Sequence, residues 1–221
     1  MTIRFDDLRV QYQPYYRLLK KLPGVRAVAR QLGISPGRGG PRRFLLDFLP
    51  TRSVGAEIGV YAGDFSEEIL HIVKPAKMEL IDPWIYEPSE RYKDAWYGGK
   101  AQGGQEEMDG QYKAVLTRFR RQIRAGQISV HRGYSSEVCK RFPDGYFDWI
   151  YIDGNHLYEF VKDDLEGYYP KVKRSGYVTG DDYKIGGWWE SGVKAAVDEF
   201  VESVPIELVQ IRNGQFILRK P

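Results

Sequence analysis

Three aspartates follow two neighbouring strands of the predicted sheet, at the points where these strands end. Asp153 comes directly after the apolar run 147–152, and Asp181 and Asp182 follow the run 176–180. Adjacent parallel strands bring their carboxyl ends to one edge, so the three carboxylates would converge there and repel one another. A hard divalent cation, Mg²⁺ or another such ion, would relieve this repulsion and leave positions for substrate oxygens. The spacing predicts a metal site at Asp153, Asp181 and Asp182; the alternative is that they are helix N-caps and loop acids.

One histidine stands close to these acids. His156 lies three positions beyond Asp153, at the start of the next predicted helix and at the same edge of the sheet. An imidazole there can take a proton from a hydroxyl during group transfer, so we predict His156 and Asp153 as catalytic residues. The alternative is that His156 has only a structural role.

A tight glycine-containing turn lies at the end of the first predicted strand. The run Glu57-Ile-Gly-Val-Tyr-Ala-Gly63 leads straight into a helix, and Gly59 and Gly63 let the backbone approach a ligand where a side chain would obstruct it. Asp82 closes the second strand, where a carboxylate can accept hydrogen bonds from both hydroxyls of a ribose. The two features together predict a site for a ligand that contains a nucleoside.

The elements that must position these residues form an alternating pattern. From residue 54 onward, short apolar runs alternate with amphipathic stretches, as in a parallel sheet that helices cover on both faces. Asn213-Gly214 separates the last two β-rich runs and is a strong hairpin signal. The expected fold is α/β and Rossmann-like, with seven strands that are mostly parallel and end in an antiparallel hairpin. The predicted strands are 54–58, 77–81, 127–131, 147–152, 176–180, 206–211 and 215–218, with a helix after each of the first four and another near 191–201.

Two segments stand outside this alternation. Residues 1–40 contain leucines and valines at near-helical spacing, broken by Pro23-Gly24, which predicts a helical cap or arm before a domain over 41–221. Residues 83–109 are polar, glycine-rich and aromatic, and they follow the carboxyl end of the second strand. Long insertions at this edge usually cover a site, so we predict a lid over 83–109.

The composition excludes several classes of protein. The formal net charge is only +3 and the basic residues alternate with acidic ones along the chain, which argues against nucleic acid as a partner. Cys139 is the single cysteine, so there is no internal disulfide framework. No stretch approaches the ~20 apolar residues of a membrane span. We therefore expect a cytoplasmic protein with a small-molecule substrate and no membrane partner.

These motifs together resemble those of class I S-adenosylmethionine-dependent methyltransferases, and more narrowly the macrocin O-methyltransferase-like, metal-dependent sugar O-methyltransferases. The resemblance covers roughly residues 44–218. It is carried by the run 57–63, by Leu-Ile-Asp-Pro-Trp over 80–84, by Phe-Asp-Trp-Ile-Tyr-Ile-Asp-Gly-Asn-His over 147–156 and by Gly-Tyr-Val-Thr-Gly-Asp-Asp over 176–182. The resemblance implies S-adenosylmethionine as cofactor, with Glu57, Gly59, Tyr61, Gly63, Asp82, Trp84, Ser135 and Asp153 as its binding residues. Within that set, the turn would hold the methionine portion, Asp82 the ribose, and Ser135 or its neighbours the adenine.

The resemblance also implies a reaction. We expect a divalent-metal-assisted O-methyltransferase that acts on a hydroxyl of a sugar, glycoside or oligosaccharide. The resemblance is also compatible with a homodimer. A methyltransferase for phenolic or catechol hydroxyls is the nearest alternative. A nicotinamide-dependent short-chain reductase is an alternative from another class, because Tyr158 and Lys162 match its Tyr-x-x-x-Lys pattern. A non-catalytic cofactor-binding protein is a third alternative.

Overall fold

The computed structural model describes residues 42–221, so the cap predicted over 1–40 lies outside the described residues. A seven-stranded sheet forms its centre, in the order β3-β2-β1-β4-β5-β7-β6. The first five strands pair in parallel, whereas β7 runs antiparallel to both β5 and β6. The strands are β1 (Val54–Ile58), β2 (Lys77–Asp82), β3 (Ile128–Arg132), β4 (Phe147–Ile152), β5 (Val172–Gly180), β6 (Glu207–Arg212) and β7 (Gln215–Arg219).

Helices cover the sheet on both faces. They are α1 (Arg43–Leu46), α2 (Asp64–Ile72), α3 (Gly104–Arg118), α4 (Arg120–Arg124), α5 (Ser135–Val138), α6 (Tyr158–Tyr168) and α7 (Gly192–Ser203), with short 3-10 helices at Glu90–Tyr92 and Cys139–Arg141. One buried apolar cluster joins one face of the sheet to α5, α6 and α7, and a second joins the opposite face to α1, α2 and α3. Within residues 42–221, none of these helices combines the length and apolar character that a membrane crossing needs.

The predicted α/β architecture and the antiparallel terminal hairpin are confirmed. The largest difference is at β5, which begins at Val172 rather than at residue 176. Its first half carries the polar residues Lys173, Arg174 and Ser175, and its register against β4 shifts there, with Ser175 at φ 59°. A polar, bulged stretch lacks the apolar run that identifies a buried parallel strand, so the sequence pattern revealed only the second half.

The segment predicted as a lid is partly helical. Residues 83–103 form an irregular loop that contains Glu90–Tyr92, but α3 begins at Gly104, inside the predicted lid. Met108 is fully buried on α3, and Trp84, Ala95 and Ala101 are buried in the preceding loop. The loop is therefore packed onto the domain at several points, and any lid role belongs to 83–103 rather than to 83–109.

Candidate active site

A cavity of about 780 Å³ opens where β1, β2 and β4 end. Residues that follow these strands line it, together with Arg42 and with residues of the loops after β3 and β5. This is the edge at which open parallel sheets bind ligands, because the backbone diverges there into separate loops. The cavity is large enough for a nucleoside-containing cofactor together with a second small molecule.

The turn after β1 has the conformation that its glycines predict. Gly59 has a φ of +91°, and a Cβ on it would lie 2.0 Å from the carbonyl oxygen of Asp153. A side chain is therefore excluded from Gly59 both by conformation and by space. Gly63 also has a positive φ, +75°, but a Cβ there would meet the ring of Phe119 at 2.8 Å instead of the cavity. Gly63 shapes the start of α2 and does not line the cavity, whereas Gly59 and Tyr61 do.

The Asp82 carboxylate organises this turn. Its Oδ2 accepts backbone N–H bonds from Val60 at 2.8 Å and from Tyr61 at 2.9 Å, and its Oδ1 accepts the N–H of Trp84 at 2.7 Å. The Tyr97 hydroxyl also donates to Oδ2. Burial raises the pKa of Asp82, although these hydrogen bonds oppose that effect. Among the described residues Oδ1 receives one of these hydrogen bonds and Oδ2 receives three, so Oδ1 has more capacity left for a ribose hydroxyl, whereas a hydroxyl at Oδ2 competes with Tyr97.

Trp84 supports the turn from beneath. Its side chain is fully buried, and its indole N–H donates to the carbonyl oxygen of Tyr61 at 2.9 Å. Trp84 does not line the cavity. This predicted cofactor residue instead packs behind Tyr61, which does line it. The Tyr61 backbone is thereby held both by Asp82 and by Trp84.

Glu57 is buried at the floor of the cavity. It is only 1% exposed, and the Ser66 hydroxyl at the start of α2 donates to its carboxylate. Burial raises the pKa of Glu57 to about 8, and the hydrogen bond from Ser66 opposes this shift only in part. The folded cofactor-free protein therefore holds a proton on Glu57 that the unfolded chain releases at a lower pH.

The raised pKa of Glu57 predicts a dependence of stability on pH. Because the folded state binds more protons between the ordinary glutamate pKa of 4.5 and the raised pKa of about 8, the free energy of unfolding falls as pH rises through this window. We expect Glu57→Gln to raise Tm at pH 8 by roughly 5 °C and to change it little below pH 5. Thermal unfolding of the cofactor-free protein at both pH values measures this, with the exposed Glu202→Gln as the matched control. An equal Tm for Glu57→Gln and wild type at pH 8 would contradict the assignment.

An arginine bridges two of the three predicted metal ligands. Arg42 Nη1 lies 2.6 Å from Asp153 Oδ2, and its Nη2 forms an ion pair with Asp181. Its guanidinium also lies over the rings of Phe65 and Tyr151, with its Cζ 5.3 and 5.9 Å from their centroids. The mutual repulsion that the sequence predicted is therefore offset by a side chain, and a metal ion is not required to explain it.

Asp181 is directed away from the cavity. Its carboxylate accepts hydrogen bonds from the Gln215 side chain on β7 and from the N–H of Asp182, and burial raises its pKa to about 6. It does not line the cavity, whereas Asp153 and Asp182 do. The structure thus brings the three predicted ligands to one edge but directs only two of them inward.

His156 lies between the two inward carboxylates. Its Nε2 is 3.3 Å from Asp153 Oδ1, and its Nδ1 is 3.2 Å from Asp182 Oδ2 without hydrogen-bonding geometry. Burial alone would lower the pKa of His156, but the neighbouring Asp153, Asp182 and Asp181 outweigh it and raise that pKa. Donor atoms of Asp153, His156 and Asp182 all lie within 4.8 Å of one another, so this set fits a divalent cation.

Aromatic side chains form the wall beside His156. The Trp188 and Trp189 rings lie 6.2 and 5.0 Å from the His156 ring, and Tyr92 packs against Trp188 at 5.4 Å. Both tryptophans line the cavity because their segment is a turn, where neighbouring side chains need not point to opposite sides. Asn155 donates to the Tyr92 hydroxyl at 2.8 Å and so connects the loop 83–103 to the loop after β4.

Most of the predicted site residues share this cavity. Those that line it are Glu57, Gly59, Tyr61, Asp82, Ser135, Asp153, His156 and Asp182; those that do not are Gly63, Trp84 and Asp181. Tyr158 and Lys162 also lie outside it and both bond to Glu199, which leaves the reductase pattern without a catalytic position. Sequence reasoning missed Arg42, Asn155 and Asp164 as lining residues, and only Asn155 had a signal, its place in the run that contains Asp153 and His156.

Comparison with known proteins gives the family. Residues 56–183, more than half of the chain, match the methyltransferase domain family. An uncharacterised protein of Acanthamoeba polyphaga mimivirus is 37% identical over 67 residues, which are 30% of this chain and 29% of that protein. The chain thus spans less than a third of the length of this relative. The chain belongs to the methyltransferase domain family.

Solved structures share the fold. CalS11, a calicheamicin methyltransferase, aligns with a TM-score of 0.57 at 16% identity over 99% of this chain and 94% of its own. A proposed caffeoyl-CoA O-methyltransferase from Staphylococcus aureus aligns with a TM-score of 0.56 at 16% identity, over 97% and 100% of the two chains. The cofactor-bound protein Rv0187 from MTB aligns with a TM-score of 0.58 at 13% identity, over 80% and 78%. The fold is that of the class I S-adenosylmethionine-dependent methyltransferases.

Proposed function

We propose that this methyltransferase transfers the methyl group of S-adenosylmethionine to a hydroxyl of a sugar, glycoside or oligosaccharide, with assistance from a divalent cation. One observation carries the proposal. The group of Asp153, His156 and Asp182 lines the same cavity as the cofactor turn at Gly59 and the Asp82 carboxylate. A proton acceptor and anionic groups thus stand beside the place where a bound cofactor would present its methyl group.

The side chains of this chain supply the proton chemistry. A neutral His156 that donates from Nε2 to Asp153 has an unpaired Nδ1, which can accept the proton of an entering hydroxyl. Asp182, 3.2 Å from Nδ1, then stabilises the imidazolium that forms. Arg42 donates to the other oxygen of Asp153, Oδ2, and so helps to fix the carboxylate that orients the imidazole.

The cation would be held by the two inward carboxylates. Asp153 and Asp182 present oxygens to the cavity, and Asp181 can join them only if Arg42 and Gln215 release its carboxylate. When bound, a divalent cation would lower the pKa of the acceptor hydroxyl and stabilise developing negative charge. Carboxylate ligands suit Mg²⁺, and a nearby imidazole makes Mn²⁺ equally suitable.

The aromatic wall supports a carbohydrate acceptor. Tyr92, Trp188 and Trp189 present ring surface next to the polar groups of Asn155 and His156. A sugar ring has an apolar face that packs on aromatic rings and an edge of hydroxyls that needs such polar partners. A phenolic acceptor would stack on the same rings and present a single hydroxyl edge to these polar groups, so it is the competing outcome in the experiment that follows.

The proposal is tested by measuring methyl transfer to matched acceptors. We expect methyl ether formation with simple glycosides at a higher kcat/KM than with catechols, and a loss of roughly 10²-fold in saturating chelator. Added Mg²⁺ or Mn²⁺ should restore the rate. A preference for catechols would overturn the carbohydrate assignment, and full activity in chelator would overturn the metal assignment while leaving methyl transfer itself in place.

A further inference from the structure

Each of the two inward carboxylates is paired with a basic side chain. Arg42 Nη1 lies 2.6 Å from Asp153 Oδ2, and Lys184 Nζ lies 2.6 Å from Asp182 Oδ1. The other oxygen of each carboxylate lies 3.3 or 3.2 Å from a ring nitrogen of His156. The five side chains thus form a row, with His156 in the middle, a carboxylate on each side of it and a positive charge at each end.

Further contacts hold the two basic groups in place. The Arg42 guanidinium lies over two aromatic rings and forms a second ion pair with Asp181. Lys184 Nζ lies 4.8 Å from the centroid of the Trp189 ring. Both kinds of contact are favourable for a cationic side chain. The positive charges at the ends of the row are therefore fixed parts of the site.

A divalent cation at this site would have to share its ligands with these groups. A Mg²⁺ ion binds a carboxylate oxygen at about 2.1 Å, so an ion on Asp153 Oδ2 would lie close to a guanidinium nitrogen that is 2.6 Å from the same oxygen. The two positive charges would repel each other, and the same holds for Lys184 at Asp182 Oδ1. The cation must therefore displace these basic groups or bind with lower affinity.

We propose that Arg42 and Lys184 are internal counter-ions that compete with the divalent cation for Asp153 and Asp182, and so set the affinity of the site for that cation. Arg42 is the stronger competitor, because its side chain is 32% exposed and that of Lys184 is 52% exposed. Solvent screens the more exposed charge more strongly. This inference rests on the proposed function, since it concerns the cation of that reaction.

Binding of Mn²⁺ to the full chain with S-adenosylhomocysteine present tests the competition without an activity assay. Calorimetry should show that Arg42→Gln binds Mn²⁺ roughly 10- to 100-fold more tightly than wild type, because a competing charge has been removed. Lys184→Gln should bind Mn²⁺ roughly 3- to 10-fold more tightly, since its charge is more exposed. The EPR signal of free Mn²⁺ measures the same affinities independently.

Two matched variants control for the loss of a positive charge as such. Arg43→Gln removes the same charge at the exposed neighbouring position. Lys173→Gln removes the lysine of an ion pair with Asp148, and neither of these two residues lines the cavity. Both variants should bind Mn²⁺ within about twofold of wild type, because their charges are distant from the site and screened by salt.

Thermal unfolding gives a second readout of the competition. In chelator, Arg42→Gln should have a lower Tm than wild type, because Asp153 and Asp181 lose their shared counter-ion. A fixed concentration of Mn²⁺ should then raise the Tm of Arg42→Gln more than that of wild type, since the tighter ligand stabilises more.

The possible results separate this inference from the proposed function. Mn²⁺ affinity in Arg42→Gln equal to or weaker than that of wild type would overturn the competition and leave the cation in place. If Arg42→Gln fails to fold, the same result in Lys184→Gln, a change at a half-exposed position, would overturn it instead. If neither wild type nor any variant bound Mn²⁺, the cation of the proposed function would be wrong, and this inference with it.

Discussion

His156→Ala is expected to lower kcat by roughly 10²- to 10⁴-fold, the range for loss of a general base. The affinity for S-adenosylhomocysteine should change by less than about threefold, because His156, between Asp153 and Asp182, is proposed to contact the acceptor hydroxyl and not the cofactor. Initial-rate assays of methyl transfer at saturating cofactor measure kcat, and calorimetry separately measures the affinity for S-adenosylhomocysteine.

The control for this substitution is His71→Ala. His71 is exposed in the last turn of α2, away from the cavity, so its loss should leave kcat within about twofold of wild type. A folded His156→Ala protein with wild-type kcat would return His156 to a structural role. The base would then have to be Asp153 or Asp182.

Asp82→Asn is expected to weaken S-adenosylmethionine binding by about 2 to 3 kcal/mol, the value of a lost pair of charge-assisted hydrogen bonds. The change should also lower Tm, because Asp82 accepts N–H bonds from Val60, Tyr61 and Trp84 that an amide cannot all replace. Affinity must therefore be measured well below the Tm of the variant.

A second substitution separates these two effects of Asp82. Tyr97→Phe removes the hydroxyl that bonds to Asp82 Oδ2 but retains the ring and all three backbone N–H bonds. It should leave cofactor affinity equal to or greater than that of wild type, since a ribose hydroxyl no longer competes for this oxygen. Unchanged affinity in folded Asp82→Asn would remove Asp82 from the ribose site.

The features of the site that follow from the sequence are those whose positions depend on nearby residues in the chain. The turn at Gly59 and the carboxylate at Asp82 follow directly from strands whose apolar runs are easily recognised, and strand order then brings Asp153 and Asp182 to the same edge. The positions of these residues can be predicted from the apolar periodicity of the strands and the geometry of a parallel sheet alone.

The parts that sequence missed depend on long-range packing. Arg42 reaches Asp153 across 111 positions of chain, and no local pattern distinguishes it from the other arginines nearby. The sequence therefore predicts a metal ion as the counter-ion of Asp153, Asp181 and Asp182, whereas in the structure the Arg42 guanidinium pairs with two of them. Asp164 looks like an ordinary helix acid in sequence, and only its burial and its unpaired oxygen single it out.

The predicted bounds of the lid differ from the loop in the structure for a related reason. Glycines at 103 and 104 and many polar residues suggested continuous loop, yet Met108 and Val115 anchor α3 on the core. The resemblance implies Trp84 as a cofactor residue, whereas its ring is fully buried against the core and does not line the cavity. Composition alone does not show which side of a loop faces the core.

In the proposed reaction S-adenosylmethionine gives its methyl group to a hydroxyl oxygen, and His156, between Asp153 and Asp182, accepts the proton of that hydroxyl. The most direct measurement uses S-adenosylmethionine with an isotope-labelled methyl group, a glycoside acceptor, and product analysis by mass spectrometry and NMR for wild-type and His156→Ala protein. We expect label on a hydroxyl oxygen of the glycoside with wild type, and a yield of that product lower by roughly 10²-fold or more with the variant. Label on nitrogen, sulfur or carbon, or equal product from both proteins, would contradict it.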